Sequence, residues 1–229
     1  MEKEITREVY QYLKQQKQLG VVSESFFTLA RRNVEANLHA WLESRVVADL
    51  VPGFVPGLRQ AFQEGRIDQI IYAFLAEITF GTGGIRGIVA FTERELKEFA
   101  RKRERASVLR GPNTINEIVL LLKSTGVARY AASRSLSRIV VGYDSRVQGR
   151  FFAELVSALF LEAGLQVYLF DRVCSFPELT FAIPYLKADM GILISASHND
   201  KRYNGYKLVS ATGAQFSVAD RNDIYENFI

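Results

Sequence analysis

The spacing of apolar residues predicts helices over the first 78 residues of the chain. Apolar side chains recur there every three or four positions, which places them on one face of each helix. The first such face consists of Ile5, Val9, Tyr12 and Leu13. Prolines and glycines between residues 52 and 57 break the pattern, which then resumes as far as Ile78. We therefore expect a helical amino-terminal extension over residues 1–78.

From residue 79 the pattern changes to short apolar strands that alternate with amphipathic helices. The predicted strands are 138–144, 166–171 and 190–195. The predicted helices are one whose apolar stripe runs from Phe152 to Phe160 and stops at Gly164, and one over 178–186. Near-continuous apolar strands separated by such helices are typical of a parallel sheet that is covered on both faces. We therefore predict an α/β fold for residues 79–229, with three α/β/α layers around a mainly parallel mixed sheet.

The composition narrows the class of protein. The chain has 229 residues, of which 48% are hydrophobic and 24% charged, as in a globular protein. No apolar run approaches the roughly 18 residues that span a bilayer, and the start MEKEITREVY lacks the apolar core of a signal peptide. We expect a cytoplasmic protein with no membrane partner. The single cysteine, Cys174, excludes a disulfide within the chain and a cysteine-based zinc site.

The net charge of +4 raises the question of a nucleic-acid partner. Much of the excess lies between residues 93 and 110, where basic and acidic residues are mixed. A run of this kind is typical of a solvated helix or loop, and phosphate or polyanion binding is the alternative. Aromatic residues do not alternate with the basic ones as they do in single-strand binding sites. We therefore expect no nucleic-acid partner.

Polar side chains follow the predicted strand at 190–195. In GILISASHNDKRYNGYKLV, Ser197, His198 and Asn199 come just beyond the strand, and Lys207 follows ten positions after Ser197. Ligands of open α/β sheets bind beyond the carboxyl ends of parallel strands, so this loop is a candidate site. A serine there can also serve only to satisfy backbone groups in a turn. A hydrolase triad is disfavoured, because the loop lacks the G-x-S-x-G elbow.

Two further segments carry candidate chemistry. They are FGTGGIRG, residues 80–87, and VGYDSR, residues 141–146. Gly83 and Gly84 let the backbone approach a ligand, and the guanidinium groups of Arg86 and Arg146 suit a phosphate. The alternatives are that the glycines serve only a tight turn, that both arginines form surface ion pairs and that Asp144 caps the next helix.

Taken together, these segments resemble the amino-terminal domain of the α-D-phosphohexomutase superfamily, which comprises phosphoglucomutases and phosphomannomutases. The family loop T-A-S-H-N-P, followed by N-G-[FY]-K, is similar to SASHND and NGYK at the same spacing. FGTGGIRG, VGYDSR, AGLQVYLF, PELTFAI and GAQ also occur in the family's order. The resemblance covers about residues 78–229, and Trp41 with the helical lead-in resembles the longer phosphoglucomutase and phosphopentomutase branch.

The resemblance implies a role for each matching residue. Ser197 would carry a phosphoryl group, and a Mg²⁺ ion would be held through that phosphate. His198 and Lys207 would assist proton transfer and stabilise the transferring charge, and Arg86 would be the active-site arginine. We predict that the substrate and its phosphate are bound by Gly83, Gly84, Arg86, Arg146 and Asn199.

The resemblance also implies an activity that this chain would share with other domains. A phosphoglucomutase interconverts hexose 1- and 6-phosphates through a sugar bisphosphate, with glucose 1,6-bisphosphate as activator; a phosphomannomutase or phosphopentomutase is the alternative. The family's D-G-D-x-D-R metal loop, its sugar loop and its distal phosphate module do not occur in the chain. We therefore expect the missing carboxy-terminal domains to be its partners and the chain alone to be inactive. A non-catalytic phosphosugar-binding module is the alternative from another class.

This sequence departs from the family pattern at several points. Asp200 stands where the family has proline, and SFPELT, residues 175–180, replaces P-T-P-E-L-S. The charged segment near residue 100 replaces a shorter loop that is rich in glycine, asparagine and arginine. These changes lead us to expect a divergent or weakly active member of the family.

Overall fold

The structure is a computed structural model that describes residues 1–81, 83–90 and 109–228. The charged segment at 93–110 therefore lies outside the described residues except for its last two positions. The described chain forms two compact units. We call residues 1–78, 90 and 109–118 the helical unit, and residues 79–81, 83–89 and 119–228 the sheet unit.

The helical unit confirms the predicted helical amino-terminal region. Its helices are α1 (Glu2–Gln18), α2 (Glu24–Glu43), α3 (Arg45–Leu50), α4 (Phe54–Gln63) and α5 (Ile67–Phe74). Ser23 begins α2 by accepting a hydrogen bond from the Phe26 amide at 3.1 Å. The rings of Trp41, Phe54 and Phe74 meet at centroid distances of 5.6 to 6.3 Å. Among the described residues, no helix has both the length and the apolar character needed to cross a membrane.

The boundary between the units differs in part from the prediction. Residue 78 does end the first stretch of the helical unit, but residues 109–118 belong to that unit although we assigned them to the second domain. Their polar groups bind its backbone. The Asn113 side chain donates to the Tyr72 carbonyl at 2.8 Å, and the Ile78 amide donates to the Pro112 carbonyl at 2.9 Å. Contacts between residues far apart in sequence cannot be read from apolar spacing.

The sheet unit contains the mixed sheet. In chain order its elements are β1 (Ile85–Ile88), α6 (Glu117–Ser133, whose first two residues belong to the helical unit), β2 (Arg138–Tyr143), α7 (Gly149–Glu162), β3 (Gln166–Leu169), α8 (Phe176–Tyr185), β4 (Met190–Ile194), β5 (Tyr203–Ser210) and α9 (Val218–Phe228). The strand order is β1-β5-β4-β2-β3. β2 pairs in parallel with β3 and β4, whereas β5 pairs antiparallel with β4 and β1.

Helices cover both faces of this sheet. Leu179 and Ile183 of α8 pack in one apolar cluster with Val140 and Leu193. Gly149 at the start of α7 lies against Tyr143, which alternation along β2 places on the face opposite to Val140. The predicted three-layer α/β fold is thus confirmed. The predicted strands correspond to β2, β3 and β4 and are each one or two residues too long.

Two glycines with positive φ values can be compared to test how closely the turn before β1 packs against β5. Gly84 has a φ of 104°, and a Cβ there would overlap the Tyr206 carbonyl and lie 2.9 Å from the Lys207 Cα. Gly164 has a φ of 85°, but a Cβ there would meet nothing within 4 Å. We expect Gly84→Ala to lower the free energy of unfolding by about 3 kcal/mol and Gly164→Ala by about 1 kcal/mol.

Urea unfolding followed by circular dichroism measures both values. Equal losses in the two variants would mean that the turn before β1 is not packed against β5 as described.

Candidate functional site

The candidate site begins where β4 ends. The Ser195 amide donates to the Gly205 carbonyl at 3.0 Å, and its hydroxyl accepts a hydrogen bond from the Ser197 amide at 3.0 Å. The Asn199 amide donates to the Ala196 carbonyl at 3.1 Å, which closes a tight turn. Ser197 has a φ of 59°, in the left-handed region that residues other than glycine rarely adopt. Strained backbone of this kind is concentrated at functional sites.

The turn exposes two of the predicted site residues. Ser197 and His198 are both exposed, whereas Asn199 is half-buried. The Asn199 side-chain oxygen is buried without a hydrogen-bond partner among the described residues. A buried acceptor left unpaired is costly, so a donor that reached it would stabilise the loop.

Arg146 forms the densest set of contacts with this loop. Its Nη1 donates to the carbonyls of Asp200 at 2.8 Å and Tyr203 at 2.9 Å. Its Nη2 donates to the carbonyls of Ser197 at 2.7 Å and Asn199 at 2.6 Å. Because a guanidinium has five N–H groups, little of it is left for a phosphate in this conformation. The geometry therefore does not support our prediction that Arg146 binds phosphate.

Asp144 fixes Arg146 from the other side. One carboxylate oxygen accepts a hydrogen bond from the Arg146 amide at 3.0 Å, and the other lies 3.3 Å from the Arg146 Nε. Asp144 is thus an ion-pair partner of Arg146. No side chain caps the start of α7, where Gln148 is the N-cap residue.

At Asp200, where the family has proline, side-chain hydrogen bonds restrain the loop instead. Asp200 accepts hydrogen bonds from the Arg202 amide at 3.0 Å and from the Arg202 Nε at 2.7 Å. This hydrogen-bonded turn restrains a position where the family has proline. The hydrogen bonds from Arg202 hold the pKa of Asp200 below its ordinary value, so the carboxylate stays charged.

Asn204 is a site residue that sequence reasoning missed. Its amide nitrogen donates to the Val147 carbonyl at 3.1 Å, and its oxygen accepts from the Gly205 amide at 2.8 Å. The side chain is fully buried and joins the loop after β2 to the start of β5. Asn204 is the first residue of the NGYK motif, but we assigned a role only to Lys207 in that motif.

Lys207 is buried in β5, with a relative exposure of 6%. Its register partner is Leu193 of β4, and its Nζ lies 4.9 Å from the centroid of the Phe176 ring. Burial lowers the pKa of Lys207, and the charge of Arg86 lowers it further, while Asp144 opposes the shift. Phe176, within the departure SFPELT, therefore contacts a predicted catalytic residue.

Arg86 lies on the same face of the sheet as Lys207. It pairs with Gly205, two positions before Lys207, and side chains two apart on a strand share a face. A Cβ on Gly205 would lie 3.2 Å from the Arg86 Cγ, so the glycine leaves room for the arginine stem. The guanidinium is exposed, and its charge is felt by Lys207. Two cations are thus adjacent on this face.

The glycines before Arg86 form a turn. The Gly81 amide donates to the Gly84 carbonyl at 3.1 Å, and a Cβ on Gly83 would lie 3.2 Å from the Arg86 Nη2. Arg221 of α9 donates to the Gly81 carbonyl and is 8% exposed. Sequence reasoning missed Arg221, because nothing in its neighbourhood marks a partner 140 residues away. The roles of Gly83 and Gly84 toward substrate stay predictions.

The chain is similar to known proteins over about two thirds of its length. A family model described as phosphoglucomutase/phosphomannomutase, alpha/beta/alpha domain I, matches residues 77–229. A phosphoglucomutase of Staphylococcus haemolyticus (strain JCSC1435) is 33% identical over 167 residues, which cover 72% of this chain and 26% of that protein. A phosphoglucomutase of Staphylococcus aureus (strain MRSA252) is 36% identical over 157 residues, covering 68% of this chain and 25% of that protein.

A solved structure is also similar to this chain. The crystal structure of a Thermus thermophilus protein assigned as a phosphomannomutase has a TM-score of 0.55 and 28% identity, and the match covers 67% of this chain and 30% of that one. This chain spans about a quarter of the length of the curated relatives described above.

The burial of Lys207 near the charge of Arg86 leads to a prediction about the stability of the fold. A buried ammonium loses its hydration, so Lys207→Met should stabilise the fold at pH 7 by roughly 0.5–2 kcal/mol. Because burial lowers the folded-state pKa of Lys207, the unfolded chain binds more protons between that pKa and the ordinary lysine value. The wild type therefore gains stability as pH rises through this window, and the advantage of methionine should shrink toward about pH 10.4.

Thermal unfolding at a series of pH values measures this difference. Lys187→Met, at an exposed lysine of the same unit, is the control and should change little. Loss of stability at pH 7 in Lys207→Met alone would show that the ammonium is not an isolated buried charge.

Proposed function

Because the chain belongs to the phosphoglucomutase/phosphomannomutase family through its domain I, we propose that it is the amino-terminal domain of a phosphosugar mutase whose Ser197 carries the phosphoryl group. The substrate that the relatives favour is a hexose phosphate, with interconversion of glucose 1-phosphate and glucose 6-phosphate as the reaction. A phosphomannomutase or phosphopentomutase acts by the same chemistry on another sugar.

The observation that carries the proposal is the setting of Ser197. The serine is exposed in a left-handed turn at the carboxyl end of β4, and its own carbonyl is bound by Arg146. Its hydroxyl is thus presented to solvent on a fixed backbone. Phosphoryl transfer depends mostly on such positioning and on cations around the equatorial oxygens.

The chemistry assigns each side chain a task. A hydroxyl oxygen of the bound sugar attacks phosphorus, the bond from phosphorus to the Ser197 oxygen breaks, a proton passes to that leaving oxygen, and the sugar becomes a bisphosphate. The return step transfers the other phosphate to Ser197. His198 or the neutral form of Lys207 takes the proton of the attacking hydroxyl, and burial makes that neutral form of Lys207 more accessible than in water.

Positive charge serves the transferring phosphate. Lys207 in its charged form and Arg86 lie on one face of the sheet, and the field of Arg146 also acts on Lys207. Cations placed before the reaction stabilise charge that spreads over the phosphoryl oxygens, especially where water is excluded. We propose that Gly83 and Gly84 keep the backbone beside Arg86 open for the substrate phosphate, and that Asn199 binds through its unpaired oxygen.

Mg²⁺ and glucose 1,6-bisphosphate are part of this proposal. In the described part of the chain, the acidic and histidine side chains close enough to share a metal are Glu2, His39 and Glu43, in the helical unit. A phosphate on Ser197 would offer Mg²⁺ one oxygen ligand, and we propose that the other ligands come from further domains. Bound there, the ion would neutralise charge on the phosphoryl group.

Replacing the nucleophile tests the proposal in a full-length protein that carries this chain as its first domain. Ser197→Ala should remove at least about 99.9% of mutase turnover, since each tenfold loss corresponds to roughly 1.4 kcal/mol of barrier and no other hydroxyl takes its place. The unfolding midpoint should stay unchanged, because the hydroxyl is exposed. The assay converts glucose 1-phosphate to glucose 6-phosphate with Mg²⁺ and glucose 1,6-bisphosphate present.

A matched control uses a serine at the other end of β5. Ser210→Ala removes a hydroxyl that bonds Thr212 and the Ala214 carbonyl and should retain wild-type turnover. More than about a tenth of wild-type turnover in Ser197→Ala, a barrier change below roughly 1.4 kcal/mol, would contradict the phosphoserine assignment.

A further inference from the structure

Four carbonyl oxygens of the serine loop converge on a single group. They belong to Ser197, Asn199, Asp200 and Tyr203, and each accepts a hydrogen bond of 2.6 to 2.9 Å from Arg146. Carbonyl dipoles that point at one another repel, and the positive charge and N–H groups of Arg146 offset this repulsion. Of the side chains, only arginine supplies enough N–H groups in a fixed plane to bind four acceptors together.

Arg146 is itself held in place. Asp144 contacts both its amide and its Nε, and the Arg146 side chain is 11% exposed. Charge-assisted hydrogen bonds shielded from water are the stronger kind. The guanidinium is therefore tied to the sheet unit through its Nε and both of its terminal nitrogens.

The contacts of Arg146 bear directly on the backbone of Ser197. Nη2 binds the carbonyls of Ser197 and Asn199, on both sides of His198. These bonds fix the peptide plane that follows Ser197, while the bond from its amide to the Ser195 hydroxyl fixes the plane before it. Left-handed backbone at a serine persists only where the surroundings determine it in this way.

We propose that Arg146 is the positioning residue of the serine loop: held by Asp144, its guanidinium keeps Ser197 in the backbone conformation from which the serine exchanges a phosphoryl group. The inference rests on the proposed function for the exchange, and on the contacts alone for the conformation. It replaces the prediction that Arg146 binds phosphate. To bind phosphate, the Arg146 guanidinium would have to release the carbonyls that it binds in this structure.

Kinetics separates positioning from phosphate binding. In the full-length protein, Arg146→Ala should lower kcat about 100-fold while KM for glucose 1-phosphate changes by less than about threefold, since a misplaced nucleophile slows the transfer but leaves ground-state binding. The kcat of Arg146→Lys should lie between those of the wild type and Arg146→Ala, because lysine has three N–H donors. Arg150→Ala is the control: this neighbouring exposed arginine pairs with Glu154, and kcat should stay at the wild-type value.

Chemical rescue distinguishes a local effect from general damage to the fold. Free guanidinium ion, at concentrations far below those that unfold proteins, should raise kcat of Arg146→Ala at least about tenfold by occupying the vacated position. Equal concentrations of methylammonium or sodium chloride should not. A raised KM with kcat preserved would overturn the proposal and restore phosphate binding.

Hydrogen exchange tests the conformation without any activity. In the 229-residue chain, the amides of Asn199 and Tyr203, which donate within the loop, should exchange at least about tenfold faster in Arg146→Lys than in wild type or Arg150→Lys, while α7 and α8 keep their protection. Unchanged exchange would overturn the proposal. If the wild type lacked turnover and loop exchange still rose, the proposed function would fail and the positioning role of Arg146 would stand.

Discussion

The antiparallel pairing of β5 with both β4 and β1 is the constraint on which the candidate site depends. It places Lys207 opposite Leu193 and Gly205 opposite Arg86. The side chains of Lys207 and Arg86 therefore project from the same face of the sheet. A slip of one residue in this register would send Lys207 to the opposite face. Two further contacts of the site also involve β5: the Ser195 amide donates to the Gly205 carbonyl, and the Asn204 side chain donates to the Val147 carbonyl.

The charges of the site oppose its stability. Lys207 is buried beside another cation, and its contact with the Phe176 ring replaces only part of the hydration it has lost. Ser197 holds a backbone conformation that costs free energy. Arrangements of this kind are expected where a site must bind an anion, because a phosphate supplies the charge that the folded chain lacks. The unfavourable setting of Lys207 is therefore consistent with the phosphate-binding role that we propose for it.

Sequence reasoning predicted the elements that local patterns determine. The apolar runs of β2, β3 and β4 and the amphipathic stripe of α7 are visible in the chain, and the loop with Ser197 was found because it follows such a strand. β1 and β5 were not predicted as strands, since FGTGGIRG and NGYKLV were read for their chemistry. The predicted roles of Ser197, His198, Lys207 and Arg86 stay proposals, because the comparisons extend to the family and not to single residues.

Contacts between distant segments could not be predicted. The contact of Arg221 with Gly81, that of Asn204 with Val147, and the convergence of four carbonyls on Arg146 all depend on the tertiary fold. An arginine that follows a strand can bind a phosphate or the backbone with equal chemical ease. Geometry alone decides between these roles.

Mapping the phosphate by mass spectrometry shows whether Ser197 accepts a phosphoryl group. The full-length protein is incubated with glucose 1,6-bisphosphate and Mg²⁺, digested, and its peptides are sequenced by mass spectrometry. We expect phosphate on Ser197 in the wild type and an unphosphorylated loop peptide in Ser197→Ala. Phosphate on Ser195 or on another residue of the chain, with Ser197 unmodified, would contradict this expectation.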